Sequence, residues 1–329
     1  MNENLISVMN LKKWFPVRLG FFHSLTSKKK LFVRAVDGID FEVKKQEIFG
    51  LVGESGSGKT TTGRLLLKLI EATDGKIFFH GRDISLIPEK EFKILRRKLQ
   101  FIFQDPYESL NPRITIYDTV AEPVVVQGLA SETPTEERVY RSLESVQLVP
   151  PEEFFFRYPH ELSGGQRQRV AVARALILNP EFIVADEPVS MLDVSIRAEV
   201  LDLMFELIDK FEVSFLYITH DLALARHVCD RIAVMYLGKI MEKGSTEEIL
   251  KDPLHPYTKA LMAAVPVPDP TARRTEVVIK GEIPSPVNPP SGCRFHTRCP
   301  EYIGQICRKK EPLLTEVSKG HFVACHKFS

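Results

Sequence analysis

The run Gly53-Glu54-Ser55-Gly56-Ser57-Gly58-Lys59-Thr60 carries the clearest chemistry in this chain. It fits G-x-x-x-x-G-K-[ST] at every defined position. Glycines lack a Cβ, so successive backbone N–H groups can turn inward around an anion. A helix opening at Thr60 adds its free N–H groups and the positive end of its dipole. Lys59 can reach β- and γ-phosphates as a point charge, and the Thr60 hydroxyl can ligate Mg²⁺. The candidate nucleotide-binding residues are therefore Gly53 to Thr60 together with Thr61. The bland alternative is a glycine-rich turn between a strand and a helix. The flanks supply the context that the chemistry needs. Glu47–Val52 reads as a short buried strand, and Thr60–Leu69 reads as a helix with Leu65, Leu66 and Leu69 on one face.

Further residues fall where open α/β sheets bind ligands, at the carboxyl ends of strands. Leu99–Phe103 is an apolar run ending at Gln104, and Phe182–Ala185 ends in Asp186-Glu187. Adjacent carboxylates at the tip of a buried strand are costly unless something uses them. Asp186 is placed to hold Mg²⁺, and Glu187 to orient or deprotonate an attacking water. Ser214–Thr219 ends at His220, a candidate for contacting a γ-phosphate, although a lone histidine is more often structural. Leu162-Ser163-Gly164-Gly165-Gln166 precedes an amphipathic helix and offers a second anion site, Ser163 as a plain N-cap being the structural alternative. Trp14 and Phe15 could pack an edge or stack on a base.

Composition narrows the class. The 329 residues are 44% hydrophobic and 26% charged with a net charge of +1, which fits an ordinary globular chain and gives no electrostatic reason to expect nucleic acid. No apolar run approaches the roughly 20 residues of a membrane span. The first residues do not read as a signal peptide, so the expected location is cytoplasmic, with any membrane role exercised through a partner. Four of the five cysteines crowd into the tail, a pattern that in a reducing compartment favours a metal site over disulfides.

The elements that must position these residues read in order. Leu5–Met9 and Val33–Val43 are strands, with Trp14-Phe15-Pro16 and a loose segment carrying Lys28-Lys29-Lys30 between them. Gly75–Phe79 resumes a strand and Glu89–Lys98 is a charged helix. From 105 to 162 strand signals vanish, and helical patterns at Thr115–Gln127 and Thr135–Leu148, broken by prolines, indicate an inserted helical subdomain. His255–Leu261 begins a short helix, and Val265–Pro270 reads as an extended linker.

Taken together, these residues resemble the ATP-binding subunits of ABC transporters over about residues 5 to 250. Gly53–Thr60 matches Walker A, Gln104 the Q-loop, Leu162–Gln166 the signature, Phe182–Asp186 Walker B, Ser190-Met191-Leu192-Asp193 the D-loop and His220 the switch histidine. Met191 stands where alanine is commoner. The resemblance implies an α/β fold: a P-loop NTPase (RecA-like) core with an antiparallel β subdomain, an inserted α-helical subdomain and a small cysteine-rich C-terminal extension. It implies ATP and Mg²⁺ as cofactors, with Thr60, Gln104 and Asp186 around the metal. Glu187 would be the catalytic base, assisted by His220 and Gln104, and Phe15 would stack on adenine with Trp14 the fallback. Two subunits would pair head to tail, so that Ser163, Gly165 and Gln166 serve the ATP held mainly by the partner.

The tail sharpens the resemblance. Gly281–Pro286 and Gly292-Cys293-Arg294-Phe295-His296-Thr297-Arg298-Cys299-Pro300 are similar to the C-terminal extension of oligopeptide and dipeptide permease ATPases, nickel-transporting relatives included. The implied division is an ATPase domain over 1–254 and an extension over 255–329. The implied partners are a paralogous ATPase subunit or a second copy, two transmembrane permease subunits and, indirectly, an extracytoplasmic solute-binding protein. The implied place is the cytoplasmic face of the membrane. Cys293, Cys299, Cys307 and Cys325 could hold a [4Fe–4S] cluster or Zn²⁺, and the resemblance favours iron–sulfur. Oligosaccharide or nickel import is the alternative within the class. A soluble ABC ATPase of DNA repair or translation is disfavoured by the single ATPase domain and the absence of heptads or a basic patch.

Overall fold

The structure is a computed structural model that describes residues 4–17, 31–129, 134–264, 279 and 281–328. The lysine triplet and the Val265–Pro270 linker lie outside the described residues. In chain order the elements are β1 (Asn4–Pro16), β2 (Phe32–Lys44), β3 (Ile48–Val52), α1 (Lys59–Leu66), β4 (Asp74–Phe79), β5 (Arg82–Asp83), α2 (Glu89–Leu95) and β6 (Leu99–Ile102). Then come α3 (Pro106–Ser109), α4 (Ile116–Val126), α5 (Thr135–Ser145), α6 (Glu152–Phe155), α7 (Gly164–Leu176), β7 (Phe182–Asp186), α8 (Val194–Phe211) and β8 (Ser214–Thr219). The described chain finishes with α9 (Leu222–Val228), β9 (Arg231–Tyr236), β10 (Lys239–Ser245), α10 (Thr246–Lys251), α11 (Pro256–Ala264), α12 (Gln305–Lys309), β11 (Thr315–Ser318) and β12 (His321–Val323).

Contacts divide the chain into two compact units, one of Val43–Glu47 and Leu86–Tyr217, the other of the remaining described residues. The second unit holds a four-stranded sheet ordered β2-β1-β4-β5, with β1 and β4 antiparallel. Sequence reading ended β1 at Met9, but the strand runs on to Pro16 and carries Trp14 and Phe15 within it. Its register shifts between Met9 and Lys12, and Asn10 adopts a left-handed φ of 47°. Such a bulge resets the two-residue alternation, which is why periodicity loses the strand there.

In the same unit β3 pairs β9 in parallel, with Leu51 opposite Ala233 and Val52 opposite Val234. Every residue of β3 is buried. A strand covered on both faces reads as a continuous apolar run rather than an alternating one. Beyond β9 the sheet continues antiparallel through β10, β12 and β11, so the end of the chain is woven into the sheet that carries the glycine loop.

The first unit pairs β6 and β7 in parallel and packs them with helices α2 to α8. The helical character expected over 105–162 is present in α3 to α6 and a 3-10 turn over Pro159–Glu161. Buried Val120, Val124, Val139, Leu143 and Val170 form the seam of α4, α5 and α7. The Ser142 hydroxyl ties α5 to the Ala173 carbonyl of α7 at 2.7 Å. The Arg167 guanidinium lies 3.7 Å from the Tyr107 ring centroid and donates to the Pro159 carbonyl at 3.1 Å.

Candidate nucleotide site

The loop from Gly53 to Gly58 joins buried β3 to α1, as the sequence context requires. Gly58 is the N-cap of α1 in left-handed geometry, φ 108° and ψ 2°. A Cβ there would lie 2.1 Å from the Ala35 carbonyl oxygen, so glycine is needed for space as well as for conformation. No side chain caps α1 and no acid stands in its first turn. The end of the helix thus offers backbone N–H groups and a positive dipole end to an anion. The buried Lys59 ammonium curls into the loop, donating to the carbonyls of Gly53 at 2.7 Å and Glu54 at 3.0 Å. The Glu54 N–H donates to the Tyr257 hydroxyl at 2.9 Å. Ser55 and Gly56 are exposed, Ser57 is buried, and Thr60 and Thr61 are half-buried at the start of α1.

Also in this unit, the Phe15 ring is 37% exposed near the end of β1, with the Lys13 ammonium 5.0 Å from its centroid. The neighbouring Trp14 is committed. Its indole N–H donates to Asp37 at 2.8 Å and the Arg34 guanidinium stacks 4.8 Å from its ring. Phe15 is therefore the more exposed and less committed of the two rings. His220 is exposed, one residue past β8.

The other unit brings together Gln104 and Glu187. The Gln104 amide donates to the Glu187 carboxylate at 3.2 Å. Asp186 is buried as the last residue of β7. Glu187 follows with φ 45°, a left-handed value that a non-glycine residue rarely takes. The N–H and hydroxyl of Ser190 both donate to the Glu187 carbonyl, at 3.1 and 3.0 Å, and hold the turn. Strain of this sort costs about 1–3 kcal/mol and clusters at functional positions.

Ser163 is the N-cap of α7 and forms a reciprocal capping box with Gln166. Its hydroxyl accepts from the Gln166 N–H at 3.3 Å, and its own N–H donates to the Gln166 side chain at 3.0 Å. A Cβ on Gly165 would fall 2.5 Å from a methyl carbon of Ile196, so that glycine lets α7 and α8 close up. Met191, the D-loop departure, is 61% exposed.

Burial above all, with other cysteines adding to it, pushes Cys293 up to about 12 and Cys299 up to about 11 from the usual thiol value, and Cys325 is raised in the same way. The Cys293 N–H donates to the Cys307 carbonyl at 2.9 Å. The donor chemistry suits a soft metal. The geometry does not: among the described residues no group of three or more histidine, cysteine or carboxylate side chains converges to hold a metal ion. The expected ligand set of Cys293, Cys299, Cys307 and Cys325 is thus not assembled as a metal site among the described residues. The same observation does not count against Mg²⁺, which takes much of its shell from phosphate oxygens and water.

Sequence reading missed residues that the structure places against the glycine loop. Arg298 donates to the Glu54 carboxylate at 2.9 Å, and Tyr257 meets the Glu54 N–H. It also missed Asp37, which receives Trp14, and Arg294, paired to the same Asp37. The loop and the tail lie too far apart in the chain for any local pattern to pair them.

Residues 36–190 match the family described as ABC transporter, and residues 241–307 match the one described as oligopeptide/dipeptide transporter, C-terminal region. The oligopeptide transport ATP-binding protein AppF of Bacillus subtilis (strain 168) is 48% identical over 330 residues, 99% of this chain and 98% of its own. The dipeptide transport ATP-binding protein DppF of Haemophilus influenzae is 45% identical, covering 98% of this chain and 97% of its own. Among solved structures, the dimeric post-hydrolysis state of the ATP-binding cassette MJ0796 bound to ADP and Pi aligns with a TM-score of 0.62 at 27% identity, over 73% of this chain and 98% of that one. The chain therefore belongs to the ATP-binding, ATP-hydrolysing subunits of ABC transporters, in the branch that carries the oligopeptide/dipeptide transporter C-terminal region.

Proposed function

We propose that this chain hydrolyses Mg-ATP to energise import of di- or oligopeptides through separate membrane-spanning permease subunits, working at the cytoplasmic face of the membrane. The observation that carries the chemistry is the glycine loop, with Lys59 inside it and an uncapped helix start behind it. In this reading Gly53 to Thr61 take the phosphates, Phe15 stacks on adenine, and Asp186, Thr60 and Gln104 surround Mg²⁺. Glu187 orients the attacking water with help from Gln104 and His220, and the Gln104–Glu187 hydrogen bond supports that assignment. Ser163, Gly165 and Gln166 serve the nucleotide of a paired subunit, a second copy or a sister ATPase. Residues 1–254 form the ATPase domain with its helical subdomain over about 105–162, and 255–329 form the extension. The peptide class is supported by relatives named for oligopeptide and dipeptide transport. An extracytoplasmic binding protein would deliver the solute.

The test uses the purified chain and Glu187→Gln. The variant is expected to bind ATP within about threefold of the parent and to lose turnover by at least about a hundredfold. Normal turnover in the variant would falsify the assignment of Glu187.

A four-iron cluster or a zinc ion on the four extension cysteines is a second reading, supported by their soft donor chemistry and by the Cys293 N–H bond to the Cys307 carbonyl. Anaerobic metal and sulfide analysis of the whole chain decides it. About four iron and four sulfide per chain mean the cluster, one zinc without sulfide means zinc, and neither removes the metal.

A further inference from the structure

Glu54 is a carboxylate inside a loop built to hold an anion, and its charge opposes that task. The structure answers it from the far end of the chain. The Arg298 guanidinium forms a fork on Glu54, with nitrogens 2.9 and 3.4 Å from the two carboxylate oxygens, and reaches the Tyr236 hydroxyl at 3.3 Å. The side chains of the pair are only 10% and 24% exposed, so solvent screens it weakly. The segment that carries Arg298 is anchored by fully buried Phe295, whose ring packs 5.4 Å from Tyr236 and 5.3 Å from Tyr257. Tyr257 in turn accepts the Glu54 N–H. One aromatic cluster therefore fixes both the backbone and the side chain of Glu54.

The same segment has a second grip. Arg294 pairs with buried Asp37, and Asp37 accepts the Trp14 indole N–H beside Phe15. Arg294 and Arg298 thus connect the cysteine-rich segment to the phosphate loop and to the strand of the stacking aromatic.

We propose that Arg298 is a positioning residue for the ATP site, which neutralises Glu54 from the C-terminal extension so that the phosphate loop can accept a triphosphate. The inference rests on the ATP-binding reading above. Without Arg298, the Glu54 charge stands unpaired against the incoming phosphates. Intactness of the extension is then felt directly in ATP affinity.

The experiment measures ATP binding and the KM and kcat of ATP hydrolysis in the full chain, with folding checked by circular dichroism. Arg298→Gln is expected to weaken ATP binding and raise KM by about five- to twentyfold while kcat at saturation changes by less than about threefold. Adding Glu54→Gln to that variant is expected to restore most of the affinity, because the repelling charge is gone. Unchanged affinity in Arg298→Gln overturns the proposal, and so does a loss that the second substitution does not restore, since that outcome marks a merely structural contact. Should Arg298→Gln not fold, Glu54→Gln alone decides. It leaves an unpaired guanidinium by the loop and is expected to tighten ATP binding, whereas weakened binding overturns the proposal. A parent chain that binds no ATP would instead overturn the functional reading itself.

Discussion

Lys59 is a cation held inside its own loop. Its ammonium is buried and donates to the carbonyls of its own loop. A buried charge must be hydrogen-bonded, and the loop carbonyls meet that need. Lys59→Ala is expected to raise the ATP dissociation constant by at least about a hundredfold, a charge-assisted contact to phosphate being worth about 3 kcal/mol here, as titration with a fluorescent nucleotide would show. Glu187 makes the complementary case. Its left-handed backbone is strained, and glycine would relieve that strain. Glu187→Gly is expected to raise the melting temperature, with a gain of about 1 kcal/mol, while turnover collapses. A fall in melting temperature would mean that the turn is not under strain. Much at this scale was legible in the sequence, because a glycine loop between an apolar strand and a helix is a local pattern. The Glu54–Arg298 pair was not, because its members stand 244 residues apart. The fork belongs to the fold and leaves no mark in spacing.

At the scale of elements, α11 shows how the extension is seated. Its start is capped by His255, whose Nδ1 accepts the Tyr257 N–H at 3.0 Å. His255 is 1% exposed, and burial pushes it down from 6.5 to about 4, although the carboxylates of Glu242 and Glu301 pull the other way and Lys259 adds to the depression. Glu242 is itself fully buried and accepts from the N–H groups of Leu254 and His255 and from the His321 ring. A histidine held neutral in the fold binds fewer protons than its unfolded counterpart between pH 4 and 6.5. Stability therefore rises with pH across that window and falls on acidification, by a ceiling of about 3 kcal/mol. His255→Asn keeps a capping acceptor without a titrating group. It is expected to flatten the change in melting temperature between pH 4.5 and 7, and an unchanged slope would assign the acid sensitivity elsewhere. The legibility of elements follows the same physics. β3 and β7 read directly as short buried apolar runs, but β1 was cut short at its bulge, and β9 to β12 were not read although β9–β10 and β11–β12 are hairpins, closed by Leu237-Gly238 and Lys319-Gly320.

At the scale of the whole molecule, no helix among the described residues is long and apolar enough to cross a membrane. The chain's family couples ATP to transport, and in the proposed reading separate permease subunits cross the membrane. Within this chain the signature residues are already organised as a capping box, and in the proposed reading they act on a nucleotide held by another subunit. A single subunit then lacks half of what closes on the γ-phosphate, and association becomes linked to ATP by mass action. Glu187→Gln, which is expected to bind ATP without hydrolysing it, is the variant in which that linkage can be seen. With Mg-ATP it is expected to run at twice the monomer mass in light scattering, either alone or only after mixing with a sister ATPase, and to return to monomer when nucleotide is removed. The first result assigns a homodimer and the second a heterodimer. Adding Lys59→Ala is expected to abolish the dimer in both cases, since the loop can no longer hold the nucleotide that joins the subunits. A dimer that forms equally well without ATP would separate association from the nucleotide. In that event the capping box at Ser163 would be left with its structural role alone.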